Sequence, residues 1–132
     1  MKIKILLILL SSLLFGVTDL TSKNYDKETE QGIVVVEYWA TWNTQNMVIA
    51  IDELKNSPLY LSIKKVKVFR VNICENIDLQ TKYGITVVPT IIFYDNGKEF
   101  KRLQGDLSFK LKTTYEELQK IIDDRLMINQ EK

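Results

Sequence analysis

The run Ile33-Val34-Val35-Val36-Glu37-Tyr38-Trp39 constrains the fold of this chain more than any other stretch. Its β-branched and aromatic side chains favour extended backbone, and with no alternating polar positions it has no face to give to water. Such a strand belongs inside a sheet that helices cover on both sides, which places the chain in the α/β class. Glu37 is the exception within it. A carboxylate ionised in an apolar setting is costly unless a cation or a hydrogen bond compensates it, so a partner for Glu37 has to be found elsewhere in the chain.

The other elements follow from spacing. Asn43 to Asn56 carries Met47, Ile51 and Leu54 at helical intervals, opens on a side chain suited to N-capping and stops before Pro58. Val66 to Ile73 alternates as a strand, and Ile77 to Tyr83 reads as a short helix closed by Gly84. Thr90 to Tyr94 and Glu99 to Leu103 flank Asp95-Asn96-Gly97-Lys98, whose Asn-Gly pair signals a tight hairpin. Thr113 with Glu116 forms a capping box for a final amphipathic helix bearing Leu118, Ile121, Ile122 and Leu126. The expected order is βαβαββα in one domain over residues 33–132.

Ahead of this domain, Lys2 and Lys4 precede an apolar run from Ile5 to Val17 that ends before Asp19, the layout of a secretory signal. A spanning helix needs about 20 apolar residues, so a retained anchor is the lesser reading. Residues 1–22 are therefore expected to be a signal peptide, cut near Gly16-Val17-Thr18, and residues 23–32 an exposed polar leader. The destination is periplasmic or secreted, with a eukaryotic secretory lumen also compatible.

Composition removes several function classes. With 132 residues, 45% of them hydrophobic and 27% charged, the chain suits one ordinary domain. Its net charge of +1 provides no footprint for nucleic acid or an anionic membrane surface. It has no histidine, which eliminates the commonest neutral-pH base, the commonest zinc ligand and every Ser-His or Cys-His pair. It has one cysteine, Cys74, so no internal disulfide can form. Neither metal nor cofactor is expected.

The segment Val36-Glu37-Tyr38-Trp39-Ala40-Thr41-Trp42, followed by Asn43-Thr44-Gln45-Asn46, resembles the signature of the thioredoxin family. The resemblance continues in register through Val71-Asn72-Ile73, Lys82-Tyr83-Gly84-Ile85, Val88-Pro89-Thr90, Asn96-Gly97 and Gly105. It implies a three-layer sandwich around a mixed sheet. The family's first strand and helix should be mostly missing, because Lys23 to Gly32 is too short to hold both. The two cysteines of the family's Cys-x-x-Cys fall on Asn43 and Asn46, and a carboxamide offers neither a thiolate nor a redox couple. Asn43 reads first as a helix cap, worth about 1 kcal/mol over alanine, with specific recognition as the alternative.

The resemblance further implies that Glu37 is the family's buried acid and Arg70 its cationic neighbour. Pro89 matches the family's cis-proline, with Val88 and Thr90 framing a groove for an extended polypeptide. Proline is the residue for which a cis bond is cheap, although Pro89 could also simply begin a strand. Trp39 is expected in the core, and Trp42 beside the asparagines as a binding anchor or a packing residue. Cys74 matches no catalytic position and reads as a small buried hydrophobe, or as a thiol that pairs with another chain. The expected function is an exported, non-catalytic polypeptide-binding or accessory module. The alternative is a residual thiol-disulfide oxidoreductase acting through Cys74 or a partner's thiol; a purely structural subunit is a third reading.

Overall fold

The computed structural model describes residues 18–42 and 66–131. The expected helix over 43–56, with Asn43 and Asn46, lies outside the described residues. In chain order the elements are β1 (Thr18–Asp19), α1 (Tyr25–Thr29), β2 (Ile33–Trp39), β3 (Val66–Asn72), α2 (Ile77–Lys82), β4 (Thr90–Asp95), β5 (Lys98–Gln104) and α3 (Tyr115–Gln130). The strands form one sheet ordered β1-β3-β2-β4-β5. β1, β3 and β2 run parallel, whereas β4 and β5 are antiparallel, which makes the sheet mixed.

The apolar run β2 occupies the middle of this sheet. It pairs with β3 from Ile33↔Val66 to Trp39↔Asn72 and with β4 from Ile33↔Asp95 to Tyr38↔Thr90. Successive side chains go to opposite faces. Val34, Val36 and Tyr38 join Leu20, Tyr25, Leu79 and Ile92 in one core cluster. Ile33 and Val35 join Val66, Val68, Ile91 and Phe93 on the other face, where Leu118 and Ile122 of α3 cover them. The three-layer expectation therefore holds.

Residues 18–32 depart from what the sequence suggests. Thr18 and Asp19 pair with Phe69 and Arg70, the Leu20 N–H donates to the Arg70 carbonyl at 2.7 Å, and Leu20 is buried. The stretch expected as an exposed leader instead holds α1, with Tyr25 and Thr29 buried against the sheet. The folded domain thus starts at or before Thr18 rather than at Ile33, and the boundary expected after Ser22 gives way. The short polar segment hid this because only Leu20 and Tyr25 make the apolar contact. Both early elements are present but abbreviated, at two and five residues.

Asn96 and Gly97 take φ of 51° and 83°, the left-handed pair that a two-residue hairpin turn requires. The Asn96 side chain also accepts the Gly32 N–H at 2.9 Å, which ties the hairpin to the start of β2. The cap of α3 is Thr114, one residue later than expected. Its hydroxyl accepts the Glu117 N–H at 3.2 Å, while Thr113 donates to the Glu117 carboxylate at 2.9 Å. Two consecutive threonines and two consecutive glutamates leave the register of a capping box open in sequence.

A phenol cluster bolts α1 to the sheet. The Tyr25 hydroxyl hydrogen-bonds both the Tyr38 hydroxyl and the Tyr94 hydroxyl, the latter at 2.5 Å, and the Tyr83 ring lies 4.7 Å from the Tyr25 ring. Burial, reinforced by neighbouring phenols, pushes the ionisation of Tyr25 and Tyr38 well above the ordinary value of 10.0. The folded state therefore keeps protons that the unfolded chain releases above that pH, so stability falls as pH rises past about 10. Urea titrations should show a steep alkaline loss that Tyr25→Phe makes shallower. At pH 7 the same substitution should cost about 1–2 kcal/mol through its two hydrogen bonds. A pH-independent midpoint between 9 and 11 would contradict this account.

Candidate functional site

Parallel and antiparallel strands bring several loops to one end of the sheet. β2 and β3 both end there, β4 begins there, and β5 returns there because Gln104 pairs with Thr90. In α/β sheets the carboxyl ends of the parallel strands are where ligands bind, since loops can converge there without interrupting the ladder. Those residues singled out in the sequence that the structure describes belong to this end or lie just beneath it.

Glu37 is fully buried, and its Cα partner across the ladder is Arg70. The Arg70 Nε lies 3.5 Å from the Glu37 Oε1, and the guanidinium stands 4.2 Å above the Trp39 ring. A planar guanidinium can face a carboxylate and an aromatic ring at once, which an ammonium does less well. The cost of a charge inside β2 is thus offset by a neighbour from β3, and Trp39 is half-buried rather than wholly in the core.

Above this pair, the Asn72 side chain donates to the Thr41 hydroxyl at 3.1 Å, tying the end of β3 to the segment that leads to position 43. Trp42 is 60% exposed. The Val88-Pro89 bond is cis, and the Thr90 hydroxyl donates to the Val87 carbonyl at 2.6 Å. Val88, Pro89 and Thr90, expected to frame a groove for an extended polypeptide, are all buried. They form the floor under the loops, and the exposed side chains above them come from elsewhere.

Those side chains lie on the loop after β5. The Gly105 N–H donates to the Pro89 carbonyl at 2.9 Å, and the following turn sets the Phe109 ring edge-on to Trp42, centroids 4.8 Å apart. Nothing in the sequence reading pointed to Phe109. The available signal was a pair of apolar residues, Leu107 and Phe109, in a segment whose other residues suit a turn.

Cys74 also departs from expectation: it is exposed, not a buried hydrophobe. It follows the last residues of β3, and its N–H donates to the Asn72 side chain at 3.1 Å, which holds this turn outward. Among the described residues, no three or more acidic, cysteine or histidine side chains come together as a metal site, and no helix is long and apolar enough to cross a membrane.

The thioredoxin family model matches residues 16–124 of this sequence. The chain belongs to the thioredoxin family. It is 33% identical over 85 residues to the thioredoxin of Rickettsia bellii, covering 62% of this chain and 78% of that protein. It is 27% identical over 100 residues to the thioredoxin of Bacillus subtilis, covering 74% and 89% respectively. Among solved structures, Malassezia sympodialis thioredoxin superposes with a TM-score of 0.62 at 26% identity, covering 83% of this chain and 91% of that one. A mutant thioredoxin from Halobacterium salinarum reaches a TM-score of 0.63 at 17% identity, a likeness of fold alone. The match from residue 16 agrees with Thr18 and Leu20 being part of this thioredoxin-fold domain.

Removing the cation from the buried pair tests how this thioredoxin-fold site is held. Arg70→Met should cost about 3 kcal/mol, because the Glu37 carboxylate keeps its burial and loses its counter-charge. Adding Glu37→Gln should recover most of that loss. Chemical denaturation checks both values, and a single-mutant cost under about 1 kcal/mol would show that the pair is not what stabilises Glu37.

Proposed function

We propose that this thioredoxin-family chain is a non-catalytic polypeptide-binding or accessory module that retains the family's frame without its dithiol. One combination of observations carries the reading. The buried Glu37–Arg70 pair, the Gly105–Pro89 contact and the exposed Trp42 are kept, while the sequence has asparagine at positions 43 and 46. A two-electron dithiol reaction within one chain needs two thiols, and this chain has one. Main-chain pairing and apolar contact with an extended partner need none.

We place the protein outside the cytoplasm, in a periplasmic, secreted or secretory-lumen setting. Support for this is the basic start at Lys2 and Lys4 and the apolar run over residues 5–17. Since Thr18 and Leu20 take part in the fold, a leader compatible with it ends before Thr18.

A second reading has one observation behind it. Cys74 is exposed, so a residual thiol-disulfide oxidoreductase could work through that sulfur with a partner's thiol completing the exchange.

An insulin reduction assay separates the readings. The purified chain should show no turnover above background, and Asn43→Cys with Asn46→Cys should create reductase activity on the retained frame. Activity in the unaltered chain that disappears on Cys74→Ser would replace the first reading with the second. Failure of the double substitution in a folded protein would remove the claim of an intact frame.

A further inference from the structure

Where β5 meets α3, the segment that joins them leaves a gap. Lys101 and Leu103 stand two residues apart on β5 and so share a face of the sheet. Glu117, Lys120 and Ile121 share one side of α3, at intervals of three and four residues. Residues 105–114 cross between the two elements and are fixed at both ends. At the first, the Asp106 N–H donates to the Lys110 carbonyl at 2.8 Å, and the Asp106 Oδ1 accepts the Lys110 N–H at 3.1 Å. At the second, the hydroxyls of Thr113 and Thr114 both engage Glu117 in the cap of α3. Leu111 to Thr113 therefore form a wall held in place, and a cavity of about 280 Å³ lies between this wall, β5 and α3.

The cavity has an apolar floor and a charged rim. Leu103, Leu111 and Ile121 pack against the core cluster that contains Phe93 and Leu118, yet each stays partly exposed where it lines the cavity. Three aliphatic side chains thus leave apolar surface in water that a ligand could cover. The rim carries Lys101, Lys112 and Lys120 against one lining carboxylate, Glu117.

Two of the three ammonium groups already face a counter-charge. Lys120 pairs with Asp124 at 2.7 Å. Lys112 acts on Asp106, whose ionisation is held below the ordinary carboxylate range first by the Ser108 hydroxyl and in smaller part by Lys112. Glu117 accepts the Thr113 hydroxyl and sits in the first turn of α3, where the helix dipole favours a negative charge. That leaves Lys101, with which no carboxylate among the described residues forms an ion pair.

We propose that this cavity binds a small monocarboxylate with an alkyl tail, the carboxylate on Lys101 and the tail along Leu103, Leu111 and Ile121. The inference stands apart from the polypeptide reading, since it uses neither Trp42 nor Pro89. Apolar walls with a few placed polar groups are the usual makeup of a small-molecule site. One uncommitted cation matches one negative charge, which favours a fatty-acid-like monoanion over a phosphate or a dicarboxylate. At about 280 Å³ the cavity takes a tail of about eight to ten carbons and leaves the end of a longer one in water.

Methyl NMR of the full chain, titrated with hexanoate, octanoate, decanoate and dodecanoate below their micelle concentrations, tests this. Shifts should concentrate on the methyl groups of Leu103, Leu111 and Ile121. The dissociation constant should fall about threefold or more for every two carbons up to decanoate, because each added methylene leaves water, and then level off. Lys101→Met keeps the alkyl stem and removes the charge, so it should weaken octanoate about threefold and leave 1-octanol unchanged. Leu111→Ser should weaken both. Thermal midpoints of the unliganded variants control for folding, and the exposed Lys101→Met keeps the test available if Leu111→Ser unfolds the wall. Shifts centred on other methyl groups, or an affinity that climbs undiminished to dodecanoate, would overturn the site. Equal weakening of octanoate and 1-octanol by Lys101→Met would overturn the charge assignment. No shift at millimolar octanoate or decanoate would remove the inference and leave the polypeptide reading standing.

Discussion

Complete burial of β2 is the constraint on which the rest of the structure depends. A strand covered on both faces requires helices above and below and partner strands on both edges, and the chain supplies them from segments distant in sequence. Because β2 tolerates no unpartnered charge, Glu37 can exist within it only with compensation. The neighbouring strand provides that at the directly opposed position, Arg70. Tyr38, on the other face, meets its need for a polar partner through Tyr25, which is what recruits the short helix α1.

The same arrangement determines where a ligand can meet the protein. Mixed strand directions carry the ends of β2, β3 and β5 and the start of β4 to one edge, where Pro89 is buried and Gly105 closes over it. Among the described residues, Trp42 and the loop after β5 present exposed apolar side chains at this edge. A scaffold held this firmly can lose a reaction and keep a surface, since contact needs shape and desolvation whereas exchange chemistry needs ionisable sulfur.

Several features were legible in the sequence because each has a local cause. Alternation and β-branching identified β3, β4 and β5, Asn96-Gly97 specified the hairpin turn, and Gly84 marked the end of α2 with its φ of 63°. The site residues were legible through register with a known family, not through their own chemistry. What escaped notice lacked a local signature. α1 is too short for periodicity, and β1 is two residues whose pairing is decided by β3. The exposure of Cys74 follows from a turn held by Asn72, and the placement of Phe109 from a turn held by Asp106.

By itself, the sequence determined the α/β class, the central strand, the hairpin and the absence of any second thiol or of histidine, because these depend on residue type and near neighbours. Tertiary structure alone decided that residues 18–32 belong to the core, that Val88 to Thr90 lie beneath the surface, and that Trp42 and Phe109 meet. Each of those depends on contacts between segments far apart in the chain, whose energies come from burial and geometry that no local pattern encodes.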